Sequence, residues 1–188
     1  MPKMRGENMW HVVQVQTGNE IQTKDICNQL IEKDILMECF IPLYEQMKKY
    51  QGKWHKEQKI LFPGYMFINT NDIDSLFLAL KNVPKLTKVL GIGGELVPIH
   101  KSEEQYLEKM LNKEYIVEVS KGYIVGEDVY IIDGPMKNFN GKIKKINRHK
   151  RIAIVELEMF GRKTEVSLGL EVIGKYEKEW KAQPVGGQ

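Results

Sequence analysis

The sequence predicts two small domains, an α+β domain followed by a small all-β barrel. Three observations carry this reading. Over residues 9–111, β-branched runs alternate with segments of helical period. From Tyr123 to residue 175 the texture changes to short alternating strands and tight turns, about five strands in some 50 residues. Between them, residues 112–122 are polar and mixed, as in a linker. A chain of 188 residues with 42% hydrophobic and 28% charged residues can build such a pair, because that balance is close to the globular average. Residues 1–8 and 176–188 have no clear pattern and are expected to be flexible tails.

The first strand is Trp10-His11-Val12-Val13-Gln14-Val15, apolar and β-branched. Thr17 and Glu20 stand at capping-box spacing, and Ile26, Cys27, Leu30 and Ile31 make one apolar helical face. A short strand-like run, Leu36 to Ile41, ends at Pro42. Residues 45–59 are polar and lysine-rich, with Gly52 inside them, and predict a hairpin with a long basic tip. Trp54 at its centre is either a folded-back cap or an exposed group for contact with DNA or a partner protein.

Leu61 to Ile68 resumes an apolar strand, interrupted by Pro63-Gly64. Asn71 is placed to cap a second helix, with Asp72 and Asp74 where a helix dipole favours negative charge. Ile73, Leu76, Phe77 and Leu80 form its buried face. Ser102 and Gln105 have the spacing of a third capping box, before Tyr106, Leu107, Met110 and Leu111.

In the second domain, Val129 and Ile131 lie in one strand and Asp133-Gly134-Pro135 marks a turn. Gly141 to Asn147 is a further strand. Ile152 to Met159 alternates, with Val155, Leu157 and Met159 on one face and Glu156 and Glu158 on the other. Gly161-Arg162 turns the chain into Thr164 to Leu168.

Several function classes are disfavoured. No stretch approaches the roughly 18 apolar residues of a membrane span, and the first residues carry no apolar signal core, so a cytoplasmic protein is expected. Cys27 and Cys39 lack metal-ligand spacing and read as buried small hydrophobes in a reducing compartment. The four histidines, His11, His55, His100 and His149, are scattered. No nucleophile–base pair, phosphate loop or metal motif accompanies them. Neither an enzyme nor a cofactor is expected.

The net charge of +3 is too small to identify a polyanion binder, so the placement of charge matters more. Residues 137–151 hold Lys137, Lys142, Lys144, Lys145, Arg148, Lys150 and Arg151, with no Asp or Glu. On a regular strand, Lys142 and Lys144 share one face. Asn147, Arg148, His149 and Lys150 form the next turn, and Arg162 and Lys163 another. Such a cluster either neutralises phosphates or is simply a solvated basic face. Asn147, Arg148 and His149 are also of the types that stack on or hydrogen-bond to unpaired bases.

Taken in order, the motifs resemble those of the NusG family. Trp10 to Glu20 is similar to that family's opening strand and turn, and Leu61-Phe62-Pro63-Gly64-Tyr65-Met66-Phe67 to its central strand. Gly126-Glu127-Asp128-Val129, Asp133-Gly134-Pro135-Met136, Phe139-Asn140-Gly141-Lys142-Ile143 and Met159-Phe160-Gly161-Arg162-Lys163-Thr164 are similar to a KOW module, an SH3-like barrel. The resemblance covers roughly residues 9–175, and each motif is weak alone.

The resemblance implies a monomeric elongation factor. Its first domain, an antiparallel sheet with flanking helices, rests on the clamp helices of RNA polymerase near the upstream or non-template DNA. Phe62, Pro63 and Tyr65 are the implied polymerase contact, although strand alternation alone leaves Phe62 and Tyr65 open as core residues. Phe160 is the implied contact for a ribosomal protein or termination factor, or else it folds back over the barrel.

The chain also departs from the common family pattern. Met136 stands in the Gly-Pro-Phe turn, Glu165 to Val172 replaces the usual last strand, and Asp74-Ser75-Leu76 replaces the His-Thr-Thr triplet of RfaH-like relatives. With the basic strip, these departures resemble the LoaP-type paralogs. That implies antitermination and recognition of a hairpin in the nascent RNA. The site residues implied are Lys142, Lys144, Lys145, Asn147, Arg148, His149, Lys150, Arg151, Arg162 and Lys163.

Overall fold

A computed structural model describes residues 10–84, 86–89, 98–138 and 141–177. The expected tails therefore lie largely outside the described residues, as do Phe139 and Asn140 of the barrel motif.

The first domain is built on an antiparallel sheet with strand order β2-β5-β1-β6. These strands are β1 (Trp10–Val15), β2 (Glu38–Phe40), β5 (Tyr65–Asn69) and β6 (Leu86–Val89). Five of the six β1 residues are buried, so both sheet faces are covered. Alternation sends Val13 and Val15 to one face and Trp10 and Val12 to the other. The Val13 face packs under helices α1 (Glu20–Leu30) and α2 (Ile73–Leu80), through Cys27, Leu76 and Leu80. Cys27 and Cys39 are free thiols, and burial pushes both up, Cys27 to about 11.

The Trp10 face packs on Leu107 and Met110 of helix α3 (Lys101–Met110). The same cluster then continues into the second domain through Met136, Ala153, Val155, Leu157, Met159, Val166, Leu168 and Leu170. The two domains thus share one apolar core.

Helix starts differ from the expected caps by a residue or two. Asp72, not Asn71, caps α2 by accepting from Ser75 N at 3.0 Å, and hydrogen bonds from the Ser75 side chain and then its backbone N–H hold the Asp72 carboxyl below the usual range. At α3, His100 N donates to Glu103 Oε2 at 3.2 Å, which moves the reciprocal cap upstream of Ser102–Gln105.

The lysine-rich stretch is a regular two-stranded hairpin, β3 (Leu43–Tyr50) and β4 (Lys53–Ile60). Its turn is only Gln51-Gly52, both at positive φ, as a tight type I′ connection requires. The expected long tip is therefore strand, paired residue for residue from Leu43 opposite Ile60 to Tyr50 opposite Lys53. Residues 112–122, expected as a linker, also hold structure. Strand β7 (Ile116–Val117) pairs parallel with β3, and β8 (Ser120–Val125) begins the barrel. Asn112 Oδ1 accepts from Glu114 N and Ile116 N, at 2.9 and 3.0 Å, which seats that short β-branched pair.

The barrel has strand order β10-β11-β12-β8-β9, with β9 (Asp128–Asp133), β10 (Lys142–Asn147), β11 (Ile152–Met159) and β12 (Arg162–Tyr176). The alternation of β11 is as expected, with Ala153, Val155, Leu157 and Met159 inward. Strand β12 runs well beyond Leu168: it pairs first with β11, then with β8.

Candidate functional site

The apolar loop between β4 and β5 is held by backbone hydrogen bonds. Leu61 N donates to Pro42 O at 2.8 Å, Val15 N to Gly64 O at 2.9 Å and Tyr65 N to Phe62 O at 3.1 Å. Gly64 takes φ +84°, which a side chain would strain. Glu20, only 2% exposed, accepts from both Gly18 N and Gly64 N at 2.8 Å. One buried carboxylate therefore ties the turn after β1 to the Phe62-Pro63-Gly64-Tyr65 loop. The capping-box spacing of Thr17 and Glu20 does not disclose this role, which depends on a partner 44 residues away.

The barrel sits on this loop. Phe160, at the β11–β12 turn, stacks on Tyr65 at 4.7 Å between centroids and 14° between planes. It meets Phe62 edge-on at 5.3 Å and Phe67 at 6.1 Å. Phe160 holds φ +58°, a conformation costing a bulky residue about 1–3 kcal/mol, which its aromatic contacts offset. Arg162 Nη2 donates to the Tyr65 hydroxyl at 2.6 Å, and Gly161 N reaches Glu103 Oε1 at 3.4 Å.

Both alternatives left open by the sequence are partly realised. Phe62 is 2% exposed and so belongs to the core of the docked arrangement, while Pro63 is exposed and Tyr65 half-buried. Phe160 folds back, not over its own barrel but onto the first domain.

A second stretch of the seam lies along the hairpin. Gly169 abuts the Glu45 carbonyl oxygen so closely that a Cβ would collide with it, and Val119 Cγ2 would stand 3.0 Å away. Val119 N points to Glu45 Oε2 at 3.4 Å. Further out, the Arg151 guanidinium lies 3.8 Å from the centroid of the Trp54 ring and pairs with Glu171 at 2.7 Å. Such a cation–π contact at a partly exposed site contributes about 0.5–1 kcal/mol. Trp54 remains 36% exposed, so it is neither a buried cap nor a free stacking group.

The basic strip is less uniform than its sequence. A β-bulge between Ile143 and Lys145 breaks the expected alternation, so Lys142, Lys144 and Lys145 are all exposed. Lys144 and Lys163 both pair with Glu156, at 3.2 and 3.4 Å. The hydrogen bond from Lys144, then the charges of both lysines, hold the Glu156 carboxyl below the usual range. That pairing is intact above the ordinary Glu value and is lost as pH falls through the lowered one. Among the described residues, Lys142, Lys145, Arg148 and Lys150 have no ion pair. Asn147 is a turn former, accepting from Lys150 N at 2.9 Å, and Arg148, His149 and Lys150 are left exposed around it. Arg162 points to Tyr65 instead of joining the strip. The acids that divide the strip, Glu156 and Glu171, lie on neighbouring strands, which a linear charge count does not register.

A family model described as "Transcription termination factor nusG" matches residues 8–108, and a "KOW motif" model matches residues 125–158. The chain belongs to the NusG family. It is 31% identical over 173 residues to the "Transcription termination/antitermination protein NusG" of Rickettsia prowazekii (strain Madrid E), covering 88% of this chain and 89% of that one. The Bacillus subtilis (strain 168) protein of the same description is 29% identical over 177 residues, covering 90% and 99%. A solved structure titled "Domain interaction in Thermotoga maritima NusG" superposes with a TM-score of 0.55 at 26% identity, over 87% of this chain and 94% of that one. The α+β domain followed by an all-β KOW region is thus the family architecture.

The chain is accordingly a transcription factor of the NusG family. Among the described residues, none is arranged with others to hold a metal ion, and no helix is long and apolar enough to cross a membrane.

Proposed function

We propose that this NusG-family protein is a specialised elongation factor of the LoaP type, acting in processive antitermination. Its first domain binds the clamp helices of RNA polymerase through Phe62, Pro63 and Tyr65. Its KOW barrel binds a hairpin in the nascent RNA through Lys142, Lys144, Lys145, Asn147, Arg148, His149, Lys150, Arg151, Arg162 and Lys163.

The observation that carries the RNA reading is the exposed turn at Arg148, His149 and Lys150, backed by unpaired Lys142 and Lys145. These cations can neutralise about four phosphates. The logarithm of RNA affinity against the logarithm of salt should then have a slope of magnitude at least about 3.6, at roughly 0.9 per phosphate. Absence of binding to structured RNA at about 50 mM salt overturns the RNA reading.

The polymerase reading carries a structural condition. Phe62 and Tyr65 lie under Phe160 in the docked arrangement, so the barrel must move for all three contact residues to engage clamp helices. Released from the seam, Phe160 becomes the aromatic anchor for a ribosomal protein or termination factor.

A second reading is a housekeeping factor whose barrel contacts only proteins. It is favoured by Glu156, which already pairs with two of the strip's lysines.

A further inference from the structure

The fold brings together two basic turns that lie about a hundred residues apart in the chain. The first is the hairpin end, residues 46–56, which holds Lys48, Lys49, Lys53 and Lys56 and no Asp or Glu. The second is the β10–β11 turn, residues 147–151, with Arg148, Lys150 and Arg151 and again no acid. They meet where Arg151 lies over Trp54 at 3.8 Å. Lys49 is the direct cross-strand partner of Trp54, so it stands on the hairpin face that Arg151 covers. Lys53 follows the tight turn, opposite Tyr50, so its side chain starts on the other face and reaches this edge only around the end of the hairpin.

Pairing divides these cations. Lys48 is held by Glu57, Lys56 by Glu45 and Arg151 by Glu171. Lys49, Lys53, Arg148 and Lys150 have no ion pair among the described residues. Lys49, Arg148 and Lys150 therefore flank one interdomain contact, with Lys53 at the hairpin end beside it. Like charges drawn together oppose docking. Docking is held instead by the apolar seam at Phe160 and the shared core. A basic edge that costs stability and contributes little to docking has the character of a polyanion site.

We propose that the RNA site is bipartite: Lys49 and Lys53 of the hairpin extend the barrel's Arg148–Lys150 surface, and the full site exists only while the two domains are docked. This rests on the reading of the barrel as an RNA-binding module. The occupant is an RNA stem, whose wide, shallow minor groove presents phosphates and 2′-hydroxyls to a surface of this breadth. His149, exposed between Arg148 and Lys150, supplies a hydrogen-bonding group beside the cations. RNA bound across the seam stabilises the docked, polymerase-free arrangement; undocking onto the polymerase releases the hairpin's share of the contacts and leaves the RNA on the barrel's own cations.

The test uses the full chain and an RNA stem-loop of about 12 base pairs and arbitrary sequence, because the contacts in question are to phosphates. Wild type should show a log–log salt slope of about −5.4, for roughly six phosphates. The surface pair Lys49→Ser with Lys53→Ser should reduce this to about −3.6 and weaken binding at least about tenfold at low salt. Gly169→Val, which undocks the domains, should produce the same loss, and combining it with the lysine pair should add nothing further.

If the lysine pair leaves slope and affinity unchanged while Arg148→Ser with Lys150→Ser lowers both, the bipartite site is wrong and the barrel reading stands. If Gly169→Val and the lysine pair act additively, the hairpin binds RNA without docking and the linkage is wrong. If wild type does not bind the stem-loop, or the barrel pair changes nothing, the RNA reading itself falls, and this proposal with it. If a B-form DNA duplex of equal length shows the two-lysine loss and RNA does not, the occupant is DNA and the proposal as stated is overturned.

Discussion

Gly169→Val should separate the two domains and tighten binding to RNA polymerase. Gly169 lies in the interior of β12 with no room for a Cβ, because the Glu45 carbonyl of the hairpin occupies that space. The obstacle is backbone, not the end of a flexible side chain, so it cannot turn aside. Forced overpacking of this kind costs about 1–3 kcal/mol. Undocking removes the clash at the expense of the Phe160 contacts and the Arg162–Tyr65 hydrogen bond.

Under the proposed function, only the undocked form offers Phe62 and Tyr65 to the clamp helices. Shifting the domain equilibrium by that amount raises polymerase affinity by roughly 5- to 150-fold, up to the point where the open form predominates. Small-angle scattering should show the particle expand while circular dichroism shows the strands retained. Polymerase affinity unchanged in an expanded variant would mean that the docked barrel does not mask the contact.

Phe62→Ala should have the opposite character, a large loss of stability. Phe62 is fully enclosed, against Phe67 at 6.0 Å and Phe160 at 5.3 Å, within the core shared by both domains. Emptying such a site costs about 3–5 kcal/mol, read as a lower urea midpoint at unchanged slope. Loss of polymerase binding in this variant would therefore mix unfolding with contact loss. Tyr65→Ala is the cleaner probe, because Tyr65 is half-buried and its hydroxyl bond to Arg162 is solvent-exposed. A Phe62→Ala protein as stable as wild type would contradict the shared core.

These two residues also mark where sequence reasoning stops. Strands β1 and β11 were readable to their end residues, because Trp10–Val15 is a β-branched run and Ile152–Met159 alternates strictly. Helices were readable by their periodicity, but their first residues were not, since several capping residues compete within each short stretch. The linker failed because Ile116-Val117 is a two-residue strand whose register comes entirely from β3.

The candidate site was readable as residue types and not as an arrangement. Phe62 beside a Pro-Gly turn is consistent with either an exposed anchor or core, and only the position of Phe160 decides between them here. Gly169 was visible as a departure from a family pattern without a reason for it. The reason is the hairpin carbonyl more than a hundred residues upstream. The basic strip was visible at once, but the pairing of Lys144 and Lys163 with Glu156 and of Arg151 with Glu171 depends on strand neighbours. The group left without an ion pair among the described residues, Lys137, Lys142, Lys145, Arg148 and Lys150, is smaller and sharper than the strip it came from.

The most direct test is a termination assay with purified RNA polymerase, on templates that do or do not encode a candidate leader hairpin upstream of a terminator. The wild-type chain should increase readthrough on the hairpin template alone, and Arg148→Glu should abolish that increase. Equal readthrough on both templates, with Arg148→Glu active and Phe160→Ala inactive, would contradict the RNA-reading account and leave a protein-contacting elongation factor in its place.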